Sequence, residues 1–151
     1  MRVLALTRYG RAGPSSRYRF FQYLPYLKDQ GFDISVFPFF NKQYIYNLYS
    51  DHYTINFISH ISAYMKRTFK LLFQKNYDLV WIEKESIPWI PAFFERLLYN
   101  TSVPYVIDYD DAIFHRYDQH HNRLVRFLLS TKIEKIMSTS LTIEKPTELT
   151  L

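Results

Sequence analysis

Four short apolar runs, each rich in β-branched or aromatic residues, recur along the chain with helix-length segments between them: Arg2 to Thr7, Phe32 to Phe37, Tyr77 to Glu83 and Pro104 to Asp108. A stretch that is apolar nearly throughout, such as Val3 to Leu6, has no polar side to offer water. It belongs to a strand covered on both faces. Strands of that kind, joined by helices, pair in parallel through right-handed crossovers. The expected fold class is therefore α/β: a single open, mostly parallel sheet with helices on both faces.

The connecting segments carry their own signals. Gly10, Gly13 and Pro14 fall between the first strand and the first helix, in a protein with only 3 glycines. Ser15 or Ser16 is expected to cap that helix, because a hydroxyl there can accept from an unpaired amide of the first turn. Tyr18, Phe21, Leu24 and Leu27 follow at helical spacing, Pro25 should kink the helix, and Gly31 should end it. Asn41 to Tyr53 reads as an irregular excursion. From Ile55 to Lys75, the residues Ile58, Ile61, Met65, Phe69, Leu72 and Phe73 share one helical face, expected to pack on the sheet. Lys66, Arg67, Lys70 and Lys75 border that face and form a basic rim suited to lipid. Pro91 to Tyr99 should be a helix burying Phe93, Phe94, Leu97 and Leu98. Asn122 to Met137 should be another, with Leu124, Phe127, Leu128, Ile133 and Ile136 as its apolar positions.

Residues 1–137 thus read as one domain. Ser138 to Leu151 contains six serines or threonines and no aromatic residue, whereas aromatics are 19% of the chain. That tail is expected to be irregular, either the product of a truncated or shifted reading frame or a plain disordered terminus. The chain has no cysteine, which excludes disulfides and thiolate metal sites. Met1 to Leu6 is too short an apolar run for a signal peptide, and no stretch reaches the roughly 18 apolar residues of a membrane span. The expected location is cytoplasmic, or peripheral on the inner face of a membrane. The net charge of +5 favours an anionic partner such as nucleotide phosphate or an anionic membrane surface. Nucleic acid is not expected, since a dense basic stripe with interleaved exposed aromatics is missing.

In open parallel sheets ligands bind outside the carboxyl ends of the strands, near the switch in strand order. Three stretches fall on that edge. The first is the glycine loop, where Gly13, Ser15 and Ser16, with Arg17 and Arg19 following, could seat a phosphate. The second is Glu83, Lys84 and Glu85 after the third strand. The third is Asp108, Asp110 and Asp111 after the fourth, with His115 just beyond. Three readings fit the aspartate turn. The carboxylates could accept hydrogen bonds from sugar hydroxyls while Asp110, Asp111 or His115 assists proton transfer. Asp108 and Asp110 could instead open a divalent metal site, with His115, His120 and His121 nearby. Val106 to Ile113 also resembles the first motif of haloacid dehalogenase-like phosphatases, with Asp108 as nucleophile, although Ala112 departs from that pattern.

Arg2 to Thr7, the loop Gly13 to Arg19, Gln22 to Pro25, Tyr77 to Glu85 and Asp108 to Phe114 together resemble the amino-terminal half of a group 1, family-4-type retaining glycosyltransferase of the GT-B fold. The resemblance covers about residues 1–137 and implies a Rossmann-like domain. It implies transfer of a sugar from a nucleotide sugar to a glycan or lipid-linked acceptor in cell-envelope polysaccharide synthesis, with neither metal nor other cofactor. Gly13, Ser15 and Ser16 would match the loop that approaches the donor diphosphate. Asp110 and Asp111 stand where many relatives carry a histidine followed by an acidic residue. In such enzymes the nucleotide is held chiefly by a second domain. The chain is accordingly expected to be an acceptor-side half, inactive alone. A basic binding module for an anionic membrane or nucleotide is the alternative.

Overall fold

The computed structural model describes residues 1–48, 57–74, 76–93, 95, 103–109 and 113–138. Four strands, β1 (Arg2–Leu6), β2 (Asp33–Val36), β3 (Leu79–Glu83) and β4 (Tyr105–Asp108), form one parallel sheet in the order β2-β1-β3-β4. The strand order reverses between β1 and β3, which is where an open α/β sheet splits its connections and leaves a crevice. The fold is Rossmann-like, as expected from the alternation of runs.

Register explains the two layers. Leu4 pairs with Val80 and Leu6 with Ile82, so these four side chains share one face, while Ala5 and Trp81 share the other. The first face packs with Leu71, Ile87, Ala92, Val103 and Ile136 in the main core. On the second, Phe20 lies against Trp81 with ring centroids 4.1 Å apart. A smaller core of Ile113, Tyr117, Leu129 and Ile133 lies beyond β4 in sequence.

Between β1 and β2 the chain does not form one kinked helix. It makes a short turn, α1 (Pro14–Ser16), then a π-helical turn at Arg17–Phe21, and restarts as α2 (Leu24–Asp29). Pro25 is the reason: it cannot donate to a preceding carbonyl, so it stands in the first turn of a new helix, where its missing amide is no loss. Of the expected core positions Phe21 is buried and Tyr18 is exposed, and Phe20, not expected, is buried as well. Gly31 does end the segment, with φ +85°. Part of the expected irregular excursion is helical, α3 (Lys42–Leu48).

The larger departure concerns α4 (Phe57–Leu72). Ile58, Ile61, Met65, Phe69, Leu72 and Phe73 were expected to face the sheet, and all six are exposed. The side that packs carries Tyr64, Arg67 and Leu71, about half a turn away. Arg67 is 1% exposed, and its guanidinium donates to the carbonyls of Thr7 (2.7 Å) and Phe37 (3.1 Å). It also lies 5.7 and 5.4 Å from the rings of Phe37 and Phe39. A cation so supplied with acceptors can be buried, and counting apolar residues alone turns the helix the wrong way round.

The last expected helix is two, α6 (Arg123–Leu129) and α7 (Lys132–Met137), which follow the single turn α5 (His115–Asp118). Asn122 caps α6 through its side chain, which accepts from the Leu124 amide at 2.8 Å. Leu124, Phe127 and Leu128 are exposed, while Leu129, Lys132, Ile133 and Ile136 are buried. Ala92, Phe93 and Glu95 are helical, with Phe93 exposed rather than buried. Phe94, Leu97, Leu98 and all of the polar tail after Ser138 lie outside the described residues.

The reversed orientation of α4 has a direct test in urea unfolding. Leu71→Ala should lower stability by about 3 kcal/mol through the cavity it leaves. Phe69→Ala, which removes a larger side chain from the same helix, should change it by less than about 0.5 kcal/mol.

Candidate functional site at the carboxyl edge of the sheet

The loop after β1 is held by one carboxylate. Glu83, the last residue of β3, is 1% exposed. Its Oε2 accepts the Arg8 amide at 2.8 Å and the Ser16 hydroxyl at 2.6 Å, and its Oε1 accepts the Ser15 hydroxyl at 2.7 Å. Ser16 Oγ in turn accepts from the Tyr9 amide at 2.9 Å, so this buried hydroxyl has both a donor and an acceptor. Hydrogen bonds to an ionised acceptor are the strong kind, and three of them offset the loss of water around the carboxylate. The serines therefore do not cap a helix as expected. Gly13 is the N-cap residue, and no side-chain cap bond is made there.

Gly13 has a steric reason to be glycine. A Cβ there would lie 2.3 Å from Cβ of Tyr9, whereas one at Gly10 would meet nothing within 4 Å. The Tyr9 ring leads into an aromatic group at the ends of β1 and β2. It lies 5.8 Å from Phe40, which is stacked 3.9 Å from Tyr44, and His60 of α4 meets both of those rings edge-on.

Across the switch point Arg19 donates to both oxygens of Asp108 at the end of β4, with Nε to Oδ2 at 3.1 Å. The π-helical turn that carries Arg19 is thereby tied to a strand 89 residues away in sequence. Asp110 and Asp111 lie outside the described residues. Arg17 is exposed and its guanidinium rests over the Tyr18 ring at 5.0 Å.

Lys84 stands between two acidic side chains with opposite destinations. Its φ of +65° is a left-handed conformation that a residue with a Cβ adopts only under constraint, and Trp89 shares it at +61°. On one side of Lys84, Glu83 meets the glycine loop. On the other, Glu85 accepts the Tyr117 hydroxyl at 2.7 and 2.9 Å and the Lys132 ammonium at 2.7 Å. Lys132 also reaches Glu95 at 3.2 Å and the Ile87 carbonyl at 2.6 Å. Glu95 Oε1 accepts the Ser86 hydroxyl and the Ile87 amide at 2.8 and 2.7 Å. Burial pushes the Glu95 carboxyl above the ordinary range, with Lys132 opposing it. Burial, and then the charge of Glu85, raises the Tyr117 phenol, so it stays a donor.

The expected site residues thus divide. Gly13, Ser15, Ser16, Glu83, Arg19 and Asp108 meet at the carboxyl edge around the switch point. Glu85 turns away into a buried ionic cluster. His115 sits exposed on α5, with Nδ1 3.2 Å from Asp118 and 2.8 Å from Gln119. Among the described residues no three carboxylate, histidine or cysteine side chains could together hold a metal ion. Lys132, Glu95 and Tyr117 were missed at the outset. Lys132 had a signal: Leu129, Lys132, Ile133 and Ile136 share a helical stripe on which the lysine replaces an apolar residue. Neither the family models, nor the curated proteins, nor the solved structures include a match to this chain.

Two substitutions separate steric from electrostatic support. Gly13→Ala should destabilise the fold by about 2 kcal/mol through overpacking against Tyr9, while Gly10→Ala should be neutral or slightly stabilising. Lys132→Met should remove about 3–5 kcal/mol at neutral pH, because it leaves Glu85 and Glu95 buried without their cation. The Glu95 carboxyl, already raised, should rise further without Lys132. A group whose folded pKa lies above its unfolded value loses its stabilising contribution as pH rises, so the deficit should grow from about pH 5 to about pH 8. Urea midpoints at both pH values measure this, and a deficit that does not change with pH would count against the assignment.

Proposed function

We propose that this chain is the acceptor-side, amino-terminal half of a GT-B glycosyltransferase, working on a nucleotide-sugar donor and a glycan or lipid-linked acceptor. The observation that carries the reading is the meeting of the glycine loop with Glu83 and of Arg19 with Asp108 across the strand-order switch. A loop held this firmly keeps its shape when a diphosphate approaches, so little ordering is lost on binding. In this reading Gly13, Ser15 and Ser16 shape the loop facing the donor diphosphate, and the exposed Arg17 supplies charge toward it. Asp110, Asp111 and His115 are kept as the candidates for proton transfer, on the resemblance alone. Glu85 becomes a supporting residue, since both its oxygens are occupied inside the cluster with Lys132 and Tyr117.

The pairing of Asp108 with Arg19 weighs against a phosphatase nucleophile there. A carboxylate whose two oxygens accept from a guanidinium is a poor attacking group.

Calorimetric titration with uridine and guanosine diphosphates and their sugar conjugates, with and without magnesium, tests the reading. Magnesium-independent binding at about millimolar affinity is expected. Arg17→Ala should weaken it by about tenfold, since the lost contact is a charge-assisted one. A folded chain that gives no heat with any of these ligands would overturn the donor-facing role of the loop.

A further inference from the structure

The exposed side of α4 is a feature that the site does not use. Phe57, Ile58, Ile61, Met65, Phe69, Leu72 and Phe73 recur at three- and four-residue steps along the outward face, with Ile58 79% and Phe73 72% exposed. Leaving such a stripe in water is unfavourable, and a patch of this kind marks an interaction surface. Its charge surroundings narrow the partner. Between Asp51 and Asp78 the sequence has no acidic residue and four basic ones, Lys66, Arg67, Lys70 and Lys75. Arg67 is turned into the protein, Lys66 is exposed beside the stripe, and Lys70 reaches the Tyr77 hydroxyl at 3.0 Å. A second copy of this chain would set this acid-free segment against itself, with no carboxylate of the helix to meet Lys66.

We infer that α4 lies in the surface of an anionic lipid bilayer, with its apolar stripe among the acyl chains and Lys66 at the headgroups. The helix has 16 residues, so it is about 24 Å long and shorter than the hydrocarbon core. None of the described helices is long and apolar enough to cross a membrane. An amphipathic helix of mixed apolar and basic character instead lies flat in the interface. The first turns of α4 are beside the carboxyl edge of the sheet, since His60 meets Phe40 and Tyr44, the residues that follow β2. Its later turns run toward the opposite edge, where Lys70 meets Tyr77 ahead of β3. Insertion would therefore hold the carboxyl edge near the lipid surface whatever reaction occurs there.

Flotation with vesicles of phosphatidylcholine alone, and of phosphatidylcholine with phosphatidylglycerol, is the test, run on the chain as it stands. Binding is expected only with the anionic vesicles. Lys66→Glu should reduce partitioning by about tenfold, and Ile58→Ser with Phe69→Ser by about a hundredfold. All three positions are exposed, and unchanged circular dichroism and unfolding midpoint would verify that the variants keep the fold. Equal binding to both kinds of vesicle, or retention of binding by the double variant, would overturn the inference. So would a dimer in light scattering that the double variant dissociates, which would make the stripe a contact between copies of the chain.

Discussion

The buried carboxylate of Glu83 is the constraint on which the carboxyl edge depends. It ends the central strand β3 and takes hydrogen bonds from three groups of the loop that follows β1. An ionised group in that position needs all of them, because the water it has given up is otherwise unreplaced. The geometry of the loop and the identity of its serines follow from this one requirement. Gly13 follows from a second, the close passage of Tyr9 across the same loop. Together they give a segment with few alternative arrangements at the carboxyl ends of β1 and β3, where the strand order reverses.

Beneath that edge the fold places cations where a simple core would have apolar groups. Arg67 gathers the carbonyls at the ends of β1 and β2, and Lys132 joins Glu85 to Glu95. Buried pairs of this sort add little to net stability compared with well-packed apolar groups, but losing one partner is severe. Their effect is to fix which residue goes where. Lys132 draws α7 against the segment after β3, and the left-handed Lys84 lets Glu83 and Glu85 serve two different neighbours. Tyr117 completes the cluster with a hydroxyl that stays protonated in its buried setting.

The strands and their parallel order were legible in the sequence because a doubly covered strand leaves an unmistakable apolar run. Gly31 and the carboxyl-edge placement of Glu83 and Asp108 were legible for similarly local reasons. The orientation of α4 and α6 was not. Reading α4 and α6 by apolar periodicity selected their exposed sides; on α4 the buried stripe carries Arg67, and on α7 the expected Ile133 and Ile136 are buried with Lys132 beside them in the same layer. Polarity predicts exposure only when a side chain finds no partner, and these partners come from segments 60 and 45 residues distant. The serines were legible as hydrogen-bonding groups but not in their target, which lies 67 residues on. A long-range carboxylate competes successfully with a local amide, and no local pattern records that competition.

Among the described residues β4 is paired on one side only, and Val106 on it is 46% exposed. A parallel segment on its other side would lie at the usual strand spacing. Such a segment would extend the sheet away from the strand-order switch between β1 and β3. Its own carboxyl end would arrive next to Asp108. Growth at this border would thus widen the carboxyl rim of the sheet while leaving the glycine loop and its anchoring glutamate undisturbed.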